Sequence, residues 1–214
     1  MLITITNPRS QAAEAYRTLR TNLMFSNVDA AMRTFALVSA SNEDDKSVTL
    51  ANLAVTLAQA EFKTLIVDAD LRRPAQHKLW NTGNETGLTN MILDASAFDA
   101  PPIHDTEIEG LGVLASGVLP PNPADVLASK RMDDVIRRLA DMAEYVLFDL
   151  PPVLAASDAS VFCRKIDGVL LIASAGHTRR DHLTQAKDQL ERVQVNVLGA
   201  VLTNAPKDRA GHYG

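Results

Sequence analysis

Apolar and polar positions along the chain follow two alternating patterns. Unbroken apolar runs at Phe35–Val38, Thr64–Val67, Leu111–Ala115, Tyr145–Phe148, Gly168–Ala173 and Val197–Leu202 read as buried strands. Between them lie segments whose apolar residues recur at three and four. Leu50, Leu53, Ala54 and Leu57 mark one helix; Met132, Val135, Ile136 and Leu139 mark another; Leu183, Ala186 and Leu190 mark a third. Residues 11 to 25 are helical by composition, with Ser10 as N-cap and Tyr16, Leu19, Leu23 and Met24 as an apolar stripe. Shorter helices are expected at Leu88–Leu93, after Asn122 as a cap, and around Val161–Cys163, capped by Ser157 or Asp158. Strands alternating with helices predict an α/β fold, a doubly wound and mostly parallel sheet covered on both faces. Sites in such sheets lie beyond the carboxyl ends of the strands, where Lys46, Asp68, Asp70 and Asp149 all fall.

A chain of 214 residues suits one such domain, here residues 1–204, followed by a polar tail, 205–214. Its net charge of −5 predicts no nucleic-acid partner. The single cysteine, Cys163, excludes an internal disulfide and fits a reducing, cytoplasmic setting. The N-terminal residues lack a basic start followed by an apolar core, so no signal peptide is expected. No apolar run approaches the ~20 residues of a membrane span, so direct membrane insertion is not expected.

The chemistry concentrates between Phe35 and Pro74. A strand, a polar loop from Ser39 to Asp45, Lys46-Ser47 opening a helix, and a second strand ending on Asp68 and Asp70 form the context of a phosphate-binding P-loop. The loop itself departs from G-x-x-x-x-G-K-[ST], because Ala40 and Asp45 stand at the glycine positions. Glycines there let backbone N–H groups turn inward on the phosphates. Glu43, Asp44 and Asp45 also bring carboxylates toward a polyanion, each at a cost of about 4 kcal/mol before screening for ~4 Å and an effective dielectric of ~20. A later apolar strand delivers Asp149, the Walker B pattern, in which a carboxylate holds Mg²⁺ directly or through water. Glu14, Arg17 and Arg20, three apart on the first long helix, read either as a solvated face with an i,i+3 ion pair or as a subunit contact.

Together these residues resemble the bacterial tyrosine kinases (BY-kinases) of capsule and exopolysaccharide systems. EAYRTLRTN at Glu14 to Asn22 is similar to the family's E-x-x-R-x-x-R motif, VDADLRRP at Val67 to Pro74 to its Walker A′, and LFDLPP at Leu147 to Pro152 to its Walker B. GVLPPNPADVLASKRM resembles its G-x-x-P-P-N-P segment. The resemblance implies a P-loop NTPase fold of the MinD/ParA kind, using ATP and Mg²⁺. It implies autophosphorylation of C-terminal tyrosines between subunits of a homo-oligomeric ring. The ring would form on a membrane-embedded polysaccharide co-polymerase, with the protein peripheral at the inner face of the membrane. By position, Ser41, Asn42, Glu43, Asp44, Asp45, Lys46, Ser47 and Val48 would surround the phosphates, and Asn204 would touch the base. Lys46, Asp68 and Asp70 would be catalytic; Ser47, Asp68 and Asp149 would serve the metal; Tyr213 would be the phosphoacceptor; residues 1–30, through Glu14, Arg17 and Arg20, would form the subunit contact.

The tail carries one tyrosine where the family has a cluster. Three readings therefore stand: a kinase weakened by its glycine-free loop, a catalytically inactive pseudokinase acting as an oligomeric regulator, and, more remotely, a MinD/ParA-like positioning ATPase.

Overall fold

The computed structural model describes residues 2–25, 32–41, 45–155 and 157–205. Helices α1 (Ile3–Thr6) and α2 (Gln11–Phe25) precede strand β1 (Thr34–Ser39), helix α3 (Lys46–Ala58) and strand β2 (Thr64–Asp68). Three short helices follow, α4 (Gln76–Leu79), α5 (Leu88–Leu93) and α6 (Ala95–Asp99), then strands β3 (His104–Asp105) and β4 (Leu111–Leu114). The chain continues through α7 (Pro123–Ala128), α8 (Lys130–Ala140), β5 (Tyr145–Asp149), α9 (Ser157–Cys163), β6 (Gly168–Ser174), α10 (Arg180–Arg192) and β7 (Val197–Thr203).

These strands form one sheet in the order β3-β4-β2-β5-β1-β6-β7. All pairings are parallel except β3 with β4. β3 is the strand that the apolar pattern does not announce: two residues, one half-buried and one exposed, carry no period.

The central strands bury both faces, which is why they read as continuous apolar runs rather than as alternations. Their side chains still divide by parity. Ala36, Val38, Val67, Val146, Phe148, Val169 and Leu171 point into one core, with α5, α8, α9 and α10. Phe35, Leu37, Ile66, Leu147, Leu170 and Ile172 point into the other, which α2 and α3 cover. Helix α3 is the most enclosed, with every residue from Thr49 to Ala58 buried.

Two capping expectations resolve differently. Ser10 Oγ accepts from the Ala13 amide, as expected of a cap. Asn122 makes no side-chain cap; Pro123 starts α7 instead, its ring presetting the first helical φ without requiring a donor partner. The apolar stripe on α2 is narrower than its sequence suggests: Ala13 and Leu23 are buried, whereas Met24 is 37% exposed.

Candidate functional site

β1, β2 and β5 lie side by side and end together. Asp68 and Asp149 are register partners on β2 and β5, and Asp149 is also paired with Leu37 on β1. Both carboxylates are fully buried. Helix α3 starts beyond the end of β1 and presents Lys46, itself only 5% exposed, to the same place. Lys46 Nζ donates to Asp149 Oδ1 and lies 3.9 Å from Asp70 Oδ2. The parallel sheet thus brings Lys46, Asp68, Asp70 and Asp149 together, although 103 positions separate Lys46 from Asp149.

Each carboxylate is held differently. Asp70 Oδ1 accepts the amides of Arg72 (3.2 Å) and Arg73 (3.0 Å), a local turn that fixes its side chain toward Lys46. Asp68 Oδ2 accepts the amides of Ala75 (2.9 Å) and Gln76 (2.8 Å), while Asp68 Oδ1 is buried without a hydrogen-bond partner. Burial, reinforced by the neighbouring Asp149 carboxylate, pushes the Asp68 carboxyl up to about 7, against the two amides and Lys46, which favour its charged form. Asp149 Oδ2 accepts from Gln76 Nε2 at 2.7 Å.

Ser47 and Val48 are half-buried in the first turn of α3. Asp45 is exposed at the N-cap position but makes no side-chain cap. Its φ of −72° is an ordinary one, so a non-glycine residue carries no left-handed strain at this position. The left-handed strain that a lost glycine suggests is therefore absent at Asp45, whose carboxylate lies at the N-terminus of α3. Its Oδ2 accepts from Asn204 Nδ2 at 2.8 Å, and Asn204 Nδ2 also reaches Ser174 Oγ at 3.0 Å. Asn204 sits just after β7 in the left-handed region (φ 52°), which asparagine tolerates. Ser41 lies at the start of the loop, its carbonyl accepting from Ser39 Oγ at 2.7 Å. Asn42, Glu43, Asp44 and Tyr213 lie outside the described residues.

The Glu14–Arg20 face stands apart, on the α2 side of the sheet. Arg17 pairs with Glu14 and also donates to the Pro8 carbonyl. Arg20 donates to the Thr56 carbonyl on α3 at 2.7 Å, so it already anchors α2 to α3 within the chain.

Two groups at the site escape a reading by motif. Gln76, fully buried, touches Asp149, Asp68 and Ser47. Asp158, also buried, accepts from Arg72 Nε at 3.0 Å and ties α9 to the turn that holds Asp70. Both follow their motifs at a distance and belong to short helices without a clear period; polar residues just beyond an acidic strand end are the only sequence signal for them.

The donor set fits Mg²⁺. Among the described residues no group of three His, Cys, Asp or Glu side chains forms a metal cage of its own. Mg²⁺ rarely uses such cages; it keeps waters and takes one or two carboxylates plus phosphate oxygens. The unpartnered Asp68 Oδ1, Asp149 and the Ser47 hydroxyl supply hard oxygen donors at the strand ends. For a phosphate, the chain offers Lys46 and the N-terminus of a 13-residue helix, opposed by Asp45.

No family model matches the chain. It is 37% identical over 213 residues to the tyrosine-protein kinase YwqD of Bacillus subtilis (strain 168), covering 100% of this chain and 90% of that relative. It is 32% identical over 211 residues to the tyrosine-protein kinase etk of Escherichia coli (strain K12), covering 99% of this chain and 29% of that longer relative. The kinase domain of Escherichia coli ETK superposes with a TM-score of 0.91 at 32% identity, over 99% of this chain and 83% of that one. The chimerical protein CapA2B2 superposes with a TM-score of 0.91 at 36% identity, over 96% and 90%. The septum site-determining protein MinD of Pyrococcus horikoshii, complexed with Mg-ADP, shares the fold at a TM-score of 0.66 and 22% identity, over 79% and 69%. The architecture is thus that of the P-loop NTPases, and the full-length likeness to tyrosine-protein kinases is far above what a shared fold requires. This chain belongs to the bacterial tyrosine-kinase family.

Proposed function

We propose that this protein is a Mg·ATP-dependent protein-tyrosine kinase whose glycine-free loop slows it, and that it phosphorylates Tyr213 between copies of a ring. The observation that carries this reading is the convergence of Lys46, Asp68, Asp70 and Asp149 at the ends of three adjacent strands. Phosphoryl transfer needs little covalent chemistry from a protein; it needs positioning and neutralised charge. Lys46 would leave Asp149 for the β- and γ-phosphates, and Ser47, Asp68 and Asp149 would hold the metal. Bound Mg²⁺ would neutralise charge developing on the phosphates. Asp70, fixed by two amides beside Lys46, would orient the tyrosine hydroxyl and accept its proton.

Membership of the family supports a role in capsular or exopolysaccharide synthesis, exercised through a membrane-embedded co-polymerase. Among the described residues no helix is long and apolar enough to cross a membrane. Glu14 and Arg17 would meet the neighbouring subunit.

The competing reading is a pseudokinase, an oligomeric regulator without transfer. Asp45 beside the phosphate position and the closure of Lys46 on Asp149 favour it. Incubation of the purified protein with Mg·ATP, followed by mass spectrometry of the tail, separates the two. Slow phosphate incorporation at Tyr213, faster with the partner's cytoplasmic segment, is the expected result. No incorporation under either condition leaves the pseudokinase.

A further inference from the structure

The arrangement around Gln76 assigns it more than a packing role. Its Nε2 donates to Asp149 Oδ2 (2.7 Å) and to the Ser47 carbonyl (3.2 Å), its Oε1 accepts from Trp80 Nε1 (3.1 Å), and its amide donates to Asp68 Oδ2 (2.8 Å). The amide orientation is fixed, because a flipped group would set its oxygen against the Asp149 and Ser47 oxygens and its NH₂ against the indole N–H. One fully buried residue therefore touches each of the three residues that the nucleotide-site reading gives to the metal.

The two oxygens of Asp149 are divided between two donors. Oδ1 takes Lys46, an ion that must swing away to reach a phosphate; Oδ2 takes Gln76, a neutral donor with no such alternative. When Lys46 leaves, a carboxylate held only by Lys46 would be free to turn. Held by Gln76, it keeps Oδ1 facing the same space. We propose that Gln76 is a positioning residue that keeps Asp149 aimed at the metal while Lys46 exchanges between Asp149 and phosphate. The inference rests on the Mg·ATP reading of the site.

Trp80, the single tryptophan of the chain, closes the outer end of this network and supplies the readout. In the full chain, Mg·ADP and metal-free ADP are titrated by calorimetry and by Trp80 emission. The wild type is expected to bind Mg·ADP with a shift in emission that saturates with the heat. Gln76→Met is expected to bind Mg·ADP ten- to a hundredfold more weakly and metal-free ADP as the wild type does, the loss typical of groups that orient a metal ligand. An equal loss for both ligands makes Gln76 a structural residue only and overturns the proposal, as does no loss at all. A wild type that binds neither ligand overturns the nucleotide reading and this inference with it. Binding by the wild type with an unaffected variant overturns the inference alone. A melting curve accompanies each variant. If Gln76→Met unfolds, Trp80→Phe carries the test by calorimetry: about a threefold loss confined to Mg·ADP supports the proposal, and none contradicts it.

Discussion

Lys46 and Asp149 meet as a buried ion pair, one from the first turn of α3 and the other from the last residue of β5. The pair offsets one negative charge of an acidic site, in which Asp68 and Asp70 crowd the same space. Breaking a buried pair by removing one partner typically costs 3–5 kcal/mol, because the other charge is left uncompensated. Lys46→Met is therefore expected to lower unfolding stability by about 3 kcal/mol at pH 7, measured by urea denaturation. Asp70, held by amides as well, shares the load. Near-wild-type stability would mean that water already satisfies these carboxylates.

Asp68 makes the site sensitive to pH. Its folded pKa, about 7, lies above its unfolded value, so the folded state binds more protons between about pH 4 and 7. Its contribution to stability is then full below the unfolded pKa and declines as pH rises through about 7, by at most about 1.4 kcal/mol per pH unit. Asp68→Asn should flatten this decline in melts from pH 5 to 8. The affinity for Mg²⁺ should run the opposite way in the wild type, strengthening as Asp68 ionises.

Asp45, at a φ that does not require glycine, would oppose a phosphate by its charge. Asp45→Asn should raise Mg·ATP affinity about fivefold, and Asp45→Gly with Glu43→Gly about tenfold or more, in calorimetric titrations. The sign follows from removing like charge at the helix N-terminus. Unchanged affinity would place the defect elsewhere.

The α2 face separates into two roles. Arg20 is engaged with the Thr56 carbonyl, whereas Glu14 and Arg17 bind each other and Pro8 near the surface. Arg20→Ala should cost about 1 kcal/mol of stability for its lost hydrogen bond. The proposed ring predicts that Glu14→Ala with Arg17→Ala leaves melting unchanged and lowers self-association in sedimentation. A double variant that sediments as the wild type would remove these residues from the subunit contact.

Much of this site could be read from the chain because its parts sit at strand ends. Buried strands such as Thr64–Asp68 and Tyr145–Asp149 show as apolar runs, and a parallel sheet must bring their final carboxylates side by side. What stayed illegible is what the fold supplies between elements. Gln76 reaches Asp149 across 73 positions, and Arg72 reaches Asp158 across 86. Neither pair has a period or spacing to betray it. β3 was hidden by its two-residue length, and Arg20, legible as part of a subunit motif, is bonded within its own chain. The lost glycine at Asp45 suggested strain, but φ at that position depends on the path of the loop, which residue type alone does not set.

Calorimetric titration of the purified protein with Mg·ATP, with Lys46→Met as control, decides whether the Lys46–Asp149 site takes a nucleotide. Saturable binding is expected, lost in the control while a melt shows the control to be folded. Heat indistinguishable from dilution at millimolar Mg·ATP, with and without the partner's cytoplasmic segment, would contradict it and leave a kinase fold that regulates without nucleotide.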